Sequence, residues 1–240
     1  MIFAHRGESW FYPENTILSF KKGILSNCDG IELDVHKTKD NKLVVIHDEK
    51  VDRTYFGNGY IKDYTLKELQ RLKNRNLLFY FNKETYIPIL EEVLSLVKKS
   101  KVFLNIEIKN NKIEYKNIEE DVINLIKKYN LIDKVILSSF NHKSMLKCKE
   151  ICKDIKTGLL YSKPIDNIIS YGKEYKTDAL HPSFKIVNKE YIENAHKNNI
   201  KVNVYTVNNV SKAKELLNWN VDGIITNYPK EMKKLWHEFL

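Results

Sequence analysis

The sequence predicts an α/β chain folded as a (β/α)8 TIM barrel with a small hairpin and insertion after the second strand. Three observations carry that expectation. From Ile89 onward, short apolar strands alternate with amphipathic helices at a steady pace. Setting one hairpin strand aside leaves eight strands, each followed by a helix, in a chain of 240 residues, close to the ~250 usual for such barrels. No glycine-rich turn follows the first strand, as an open doubly wound sheet more often shows. The 42% hydrophobic content suits one sizeable domain spanning 1–240.

Taken in order, Met1 to Ala4 reads as a short strand ending at His5-Arg6-Gly7. Asn15 or Thr16 then caps a helix to about Ser26, with Ile17, Leu18, Phe20, Ile24 and Leu25 as its buried stripe. In Asp29 to His36, Ile31, Leu33 and Val35 point one way and Glu32, Asp34 and His36 the other. Leu43 to His47 is a second strand after only Lys37 to Lys42. A parallel crossover needs a dozen or more residues, so this pair is an antiparallel hairpin. Folding it about Asp40 sets His47 opposite Leu33 or Asp34.

Residues at about 48–88 form an irregular insertion that fits no βα unit. Gly57 and Gly59 mark a loop, a short helix runs from Leu66 to Leu72 after Thr65, and the apolar run Leu77 to Phe81 is expected in the core. Helices follow at Leu90–Lys98, Ile118–Tyr129, His142–Cys152, Ile165–Tyr175, Lys189–Lys197, Ser211–Trp219 and Lys230–Phe239. Strands lie between them at Val102–Lys109, Val135–Phe140, Thr157–Tyr161, Ala179–His181, Lys201–Val207 and Gly223–Thr226.

In such barrels the chemistry gathers at the carboxyl ends of the strands. There the first strand carries His5 and Arg6, the second Glu32 and Asp34, and the third Asn105, Glu107 and Lys109 on one face. Glu32 and Asp34 stand about 7 Å apart along their strand, and like charges that close need a cation nearby. Oxygen-only ligands favour a hard divalent ion, Mg²⁺ or Ca²⁺. Three carboxylates with one such ion keep about one net negative charge, which Arg6 and Lys109 offset. A phosphodiester fits that balance, with Arg6 as a planar fork on the phosphate. His5 and His47 share the proton work, one taking a proton from the nucleophile and one protonating the leaving alkoxide. Glu14 either sits in a helix first turn or folds, with Pro13 to Thr16, as an elbow over the site. His36 is expected to miss the metal, His142 to start a helix, and His196 and His237 to lie on the surface. His181 is a second-tier candidate.

The formal charge of +9 comes mostly from lysines spread along helices without a dense block. That excludes a nucleic-acid partner and leaves weak steering of a small anionic substrate. Three cysteines make no disulfide framework, and no finger-like spacing points to structural zinc. No stretch is long and apolar enough for membrane insertion, and the start lacks a signal peptide's features, so a cytoplasmic location is expected. Nothing in the sequence sets an oligomeric state.

Together these residues resemble the glycerophosphodiester phosphodiesterase family. The likeness runs through His5-Arg6-Gly7, Pro13-Glu14-Asn15-Thr16, Gly30-Ile31-Glu32-Leu33-Asp34-Val35, His47-Asp48, Asp52-Arg53-Thr54 and Gly57-Asn58-Gly59. It continues in Asn105-Ile106-Glu107-Ile108-Lys109, Val204-Tyr205-Thr206-Val207-Asn208 and Asp222 to Pro229. The resemblance implies metal-dependent hydrolysis of glycerophosphodiesters to sn-glycerol 3-phosphate and an alcohol such as choline or ethanolamine. It implies Glu32, Asp34 and Glu107 on the metal, His5 and His47 as general acid and base, Arg6 on phosphate and Lys109 near phosphate or glycerol. Tyr205 stands where the family commonly has tryptophan in the glycerol pocket wall. Asn227 stands where it commonly has aspartate. Neither is expected to touch the metal or proton-transfer groups. Alternatives are a lysophospholipase D, motivated by Trp10-Phe11-Tyr12 and Leu77 to Phe81, and a non-catalytic binding protein on the same fold.

Overall fold

The computed structural model describes residues 1–239. Its strands are β1 (Ile2–His5), β2 (Gly30–Lys37), β3 (Leu43–Val45), β4 (Phe103–Ile108), β5 (Val135–Ser139), β6 (Lys156–Tyr161), β7 (Ala179–Pro182), β8 (Lys201–Val204) and β9 (Gly223–Thr226). They are ordered β1-β9-β8-β7-β6-β5-β4-β2-β3, and β1 also pairs with β2. That pairing closes eight parallel strands into a barrel, as expected. The ninth, β3, is antiparallel to β2, with Val35 opposite Val45. The next backbone bond, Ile46 N to Asp34 O at 3.1 Å, carries the ladder on and brings His47 to Leu33, where the short hairpin requires it.

Helices α1 (Ile17–Leu25), α2 (Leu66–Leu69), α3 (Leu90–Lys98), α4 (Ile118–Tyr129), α5 (His142–Ile151), α6 (Ile168–Glu174), α7 (Lys189–Lys197), α8 (Val210–Asn218) and α9 (Pro229–Glu238) follow the strands. Thr16 caps α1, accepting from Ser19 N while the Ser19 side chain accepts from Thr16 N. Such a reciprocal cap contributes about 1 kcal/mol. It also fixes the loop from β1, because Gly7 has φ +83° and any Cβ there would lie 2.5 Å from Ser19. The apolar row Ile31, Leu33 and Val35 is fully buried against Phe20, Leu94 and Val97, among others, in the main core.

The insertion holds a second small core of Val44, Ile46, Val51, Tyr55, Ile61, Leu69 and Ile87. This corrects the expectation for the apolar run. Leu77, Leu78 and Phe81 are 71, 90 and 92% exposed. The small core is already filled by residues on either side, and the run turns outward as a single 3₁₀ turn, Leu77–Phe79, in which the Asn76 side chain accepts from Leu78 N. No helix among the described residues is long and apolar enough to cross a membrane.

Candidate active site at the barrel mouth

The parallel register of β2 and β4 places Glu32 beside Asn105 and Asp34 beside Glu107. Oxygens of Glu32, Asp34 and Glu107 all lie within 4.8 Å of one another, and all three residues are buried. Two cations answer them. Lys109 Nζ donates to Glu107 Oε1 at 2.7 Å and stands 3.6 Å from Asp34 Oδ1. Arg6 Nε lies 3.4 Å from Asp34 Oδ2, and Arg6 N donates to Glu32 Oε2 at 3.0 Å. Asn15 Nδ2 adds a bond to Asp34 Oδ2 at 2.8 Å.

The cluster is electrostatically divided. Burial pushes Glu32 well above the usual carboxylate range, and the Asp34 charge adds to it. Burial alone would raise Asp34 too, but Lys109 and Arg6 outweigh it and hold Asp34 well below that range. Burial also raises Glu107. Against its own burial, Lys109 is pushed up to about 12 by Asp34 and Glu107. Oxygen donors converge here, and Asp34 Oδ1 is buried without a hydrogen bond among the described residues. That donor set fits a hard divalent cation, which would relieve both the raised carboxyl of Glu32 and the unused oxygen of Asp34.

Above the cluster opens a cavity of about 150 Å³ lined by His5, Arg6, Glu32, His47 and Glu107, with Phe140, Leu160 and Tyr205 on the far wall. Each histidine is tethered by Nδ1, leaving Nε2 for the cavity. His5 Nδ1–H donates to Asn227 Oδ1 at 2.6 Å, and Ser9 Oγ donates to the same oxygen at 3.2 Å. His47 Nδ1 is 2.6 Å from Asp48 Oδ1. Burial, helped by the Arg6 charge, lowers His5 to about 4. The bond from His47 holds Asp48 below its usual range, with Arg53 assisting.

Most residues singled out from the sequence meet here. Lys109 joins the carboxylates rather than the cavity wall. Tyr205 lines the wall with its hydroxyl buried and unbonded among the described residues. Glu14 is the elbow: it accepts from Arg6 Nη1 at 3.0 Å and from Arg53 at 2.7 and 2.8 Å, tying the insertion to the floor. His36 misses the cluster. Its Nε2–H donates to His47 O at 3.0 Å and its Nδ1 accepts from Tyr115 at 2.9 Å. His142 starts α5. His181 is buried within the barrel beside Asn203, 3.0 Å away. His196 and His237 are exposed.

Asn227 overturns one expectation, since it directly grips His5. Its signals were its position, one residue past the last strand, and its place where the resembled family commonly has aspartate. Asp48 was visible in a motif but had no assigned task, Asn15 was expected only as a candidate helix cap, a place Thr16 takes, and Phe140 and Leu160 gave no chemical signal.

Known proteins match the chain along almost its whole length. A profile described as "Glycerophosphoryl diester phosphodiesterase family" matches residues 5–231. A glycerophosphodiester phosphodiesterase of Caldanaerobacter subterraneus subsp. tengcongensis is 40% identical over 98% of this chain and 97% of its own. The crystal structure of a Galdieria sulphuraria protein described as a glycerophosphodiester phosphodiesterase superposes with TM-score 0.87 at 25% identity, over 98% of this chain and 97% of that one. An Oleispira antarctica phosphodiesterase, solved with the product sn-glycerol-3-phosphate, shares the fold at TM-score 0.86 and 24% identity, over 98% and 95%. Matched along almost its whole length by this profile and by a relative of 40% identity, the chain belongs to the glycerophosphoryl diester phosphodiesterase family, enzymes that hydrolyse glycerophosphodiesters.

Proposed function

We propose that the barrel mouth is a metal-dependent site that cleaves glycerophosphodiesters to sn-glycerol 3-phosphate and an alcohol, with His5 and His47 moving the protons. The observation that carries this is the pair of imidazoles lining one cavity with Glu32 and Glu107, each with Nδ1 tied away from it. Residues 1–240 are read as one such domain, with the 48–88 insertion forming part of its mouth.

Glu32, Asp34 and Glu107 would hold the cation, Mg²⁺ or Ca²⁺. When bound, it supplies Lewis-acid stabilisation of charge on the phosphoryl oxygens. Arg6 lines the cavity and offers its guanidinium to the same anion. Lys109 neutralises Asp34 and Glu107 from beneath, which keeps the net charge low enough for an anionic substrate. Tyr205, with Phe140 edge-on at 6.1 Å, walls the space left for glycerol.

The two histidines differ in what stands behind them. His5 rests on a neutral amide and is unprotonated near pH 7, so its Nε2 lone pair suits the base that takes a proton from the nucleophile. His47 rests on Asp48, held ionised, so an anion backs that ring when it carries the proton for the leaving alkoxide. The Oleispira protein, whose fold this chain shares, holds the product this reaction would release.

The deciding assay incubates the protein with glycerophosphocholine, with metal added or chelated, and follows glycerol 3-phosphate. Metal-dependent release is expected. No release with either Mg²⁺ or Ca²⁺ overturns the reading. The exposed Trp10, Phe11, Leu77, Leu78 and Phe81 favour a second reading, a lysophospholipase D. Faster cleavage of lysophosphatidylcholine than of glycerophosphocholine would select it.

A further inference from the structure

Two loops stand at the carboxyl ends of the strands beside the cavity. One, 7–16, follows β1. The other is the outer part of the insertion. Both carry large apolar side chains that the protein does not cover. Trp10 and Phe11 are 59 and 57% exposed, and Leu77, Leu78 and Phe81 still more so. The loops touch through the rings of Tyr12 and Phe79, 5.7 Å apart, and Trp10 lies against Tyr228 at 4.6 Å. A monomer rarely leaves such a run of aromatic and aliphatic tips in water without a use for it.

The charge around the outer turn of the insertion names the use. From Arg71 to Lys83 the chain carries Arg71, Lys73, Arg75 and Lys83, all exposed, and no acid. Apolar tips with aromatic shoulders and flanking cations match the boundary of an anionic bilayer, where rings sit at headgroup depth and cations meet lipid phosphates. We propose that the Trp10–Phe11 loop and the Leu77–Phe81 turn form a peripheral docking surface that seats the barrel mouth on an anionic phospholipid surface. A second copy of this chain fits less well, because meeting patch to patch would bring the same cations together. A side chain as open as Leu78 also offers a protruding tip, not a groove for a peptide.

This inference stands apart from the reaction, since it concerns binding alone. The test mixes the full chain at low salt with vesicles of phosphatidylcholine alone or with added phosphatidylglycerol, and measures co-sedimentation. Binding is expected to the anionic vesicles, to weaken with salt, and to fall roughly tenfold or more in Leu78→Ser/Phe81→Ser, which loses two exposed apolar side chains that would enter the bilayer. Turnover of soluble glycerophosphocholine by that variant should match wild type, and its circular dichroism reports its fold. A blue shift of Trp10 emission on binding, absent in Trp10→Phe, should accompany it. No anionic-vesicle binding, or equal binding by the double variant, overturns the proposal. A concentration-dependent dimer that the same substitutions abolish, without lipid binding, assigns the patch to self-association instead.

Discussion

Glu107 and Leu78 stand at the same end of one barrel, yet Glu107 is 7% exposed and Leu78 is 90% exposed. Around Glu107 the charges are paired and fixed: Lys109 at 2.7 Å, the Asp34 and Glu32 oxygens within 4.8 Å, and strand register to hold them. Around Leu78 there is one 3₁₀ turn and a side-chain cap. The floor is over-determined and charged, so removing one group leaves another buried without its partner. The rim is solvated, so removing one group leaves water where water already was. The first kind of region is expected to do chemistry and the second to meet a surface.

The largest effect should come from breaking the floor at its third acid. Glu107→Gln keeps shape and removes the charge. Turnover should fall at least ~10²-fold, with the activating metal concentration moving upward. Unchanged chelator sensitivity would take Glu107 out of metal binding. Next come the proton carriers. His5→Ala and His47→Ala should each lower kcat by roughly 10²–10⁴-fold while circular dichroism stays native, and near-normal turnover in either frees that residue from the role.

Acid sharpens the contrast further, because the interior keeps histidines neutral. Burial lowers His181 to about 3 and His36 to about 4, against about 6.5 unfolded. Between those values the unfolded chain binds more protons, so stability rises with pH there. The contribution is whole above about pH 6.5 and is lost as pH falls toward the folded values. For His181 alone the loss between pH 7 and pH 5 should be about 2 kcal/mol. Urea unfolding at the two pH values, compared with His181→Gln, measures it. An equal pH dependence in both proteins would show that His181 is not held neutral.

What could be read from the chain follows the same division. Asn105, Glu107 and Lys109 alternate with fully buried Leu104, Ile106 and Ile108, so the period of two gave both strand and reactive face. The brief link between β2 and β3 forced a hairpin and so fixed where His47 goes. The hold of Asn227 on His5 was not legible, because it depends on barrel closure setting Ala4 beside Thr226. The outward turn of Leu77 to Phe81 was hidden for another reason. Apolar content says what should be buried, but not that Val51, Tyr55, Ile61 and Leu69 had already filled the small core of the insertion. The link from Arg53 to Glu14 joins two irregular loops, where no periodicity exists to be read.

The smallest effect separates the two regions most cleanly. Leu78→Ser alters one of the most apolar positions in the insertion, and a core leucine truncated this way costs about 2–5 kcal/mol. With 90% of Leu78 already in water, the change in unfolding free energy should stay within about 0.5 kcal/mol. The same measurement on Leu69→Ser, a residue of the small insertion core with no exposure, should show the full loss. If Leu78→Ser destabilises as much as Leu69→Ser does, the turn packs against the protein, and the opposition between a rigid charged floor and a free apolar rim fails at its outer edge.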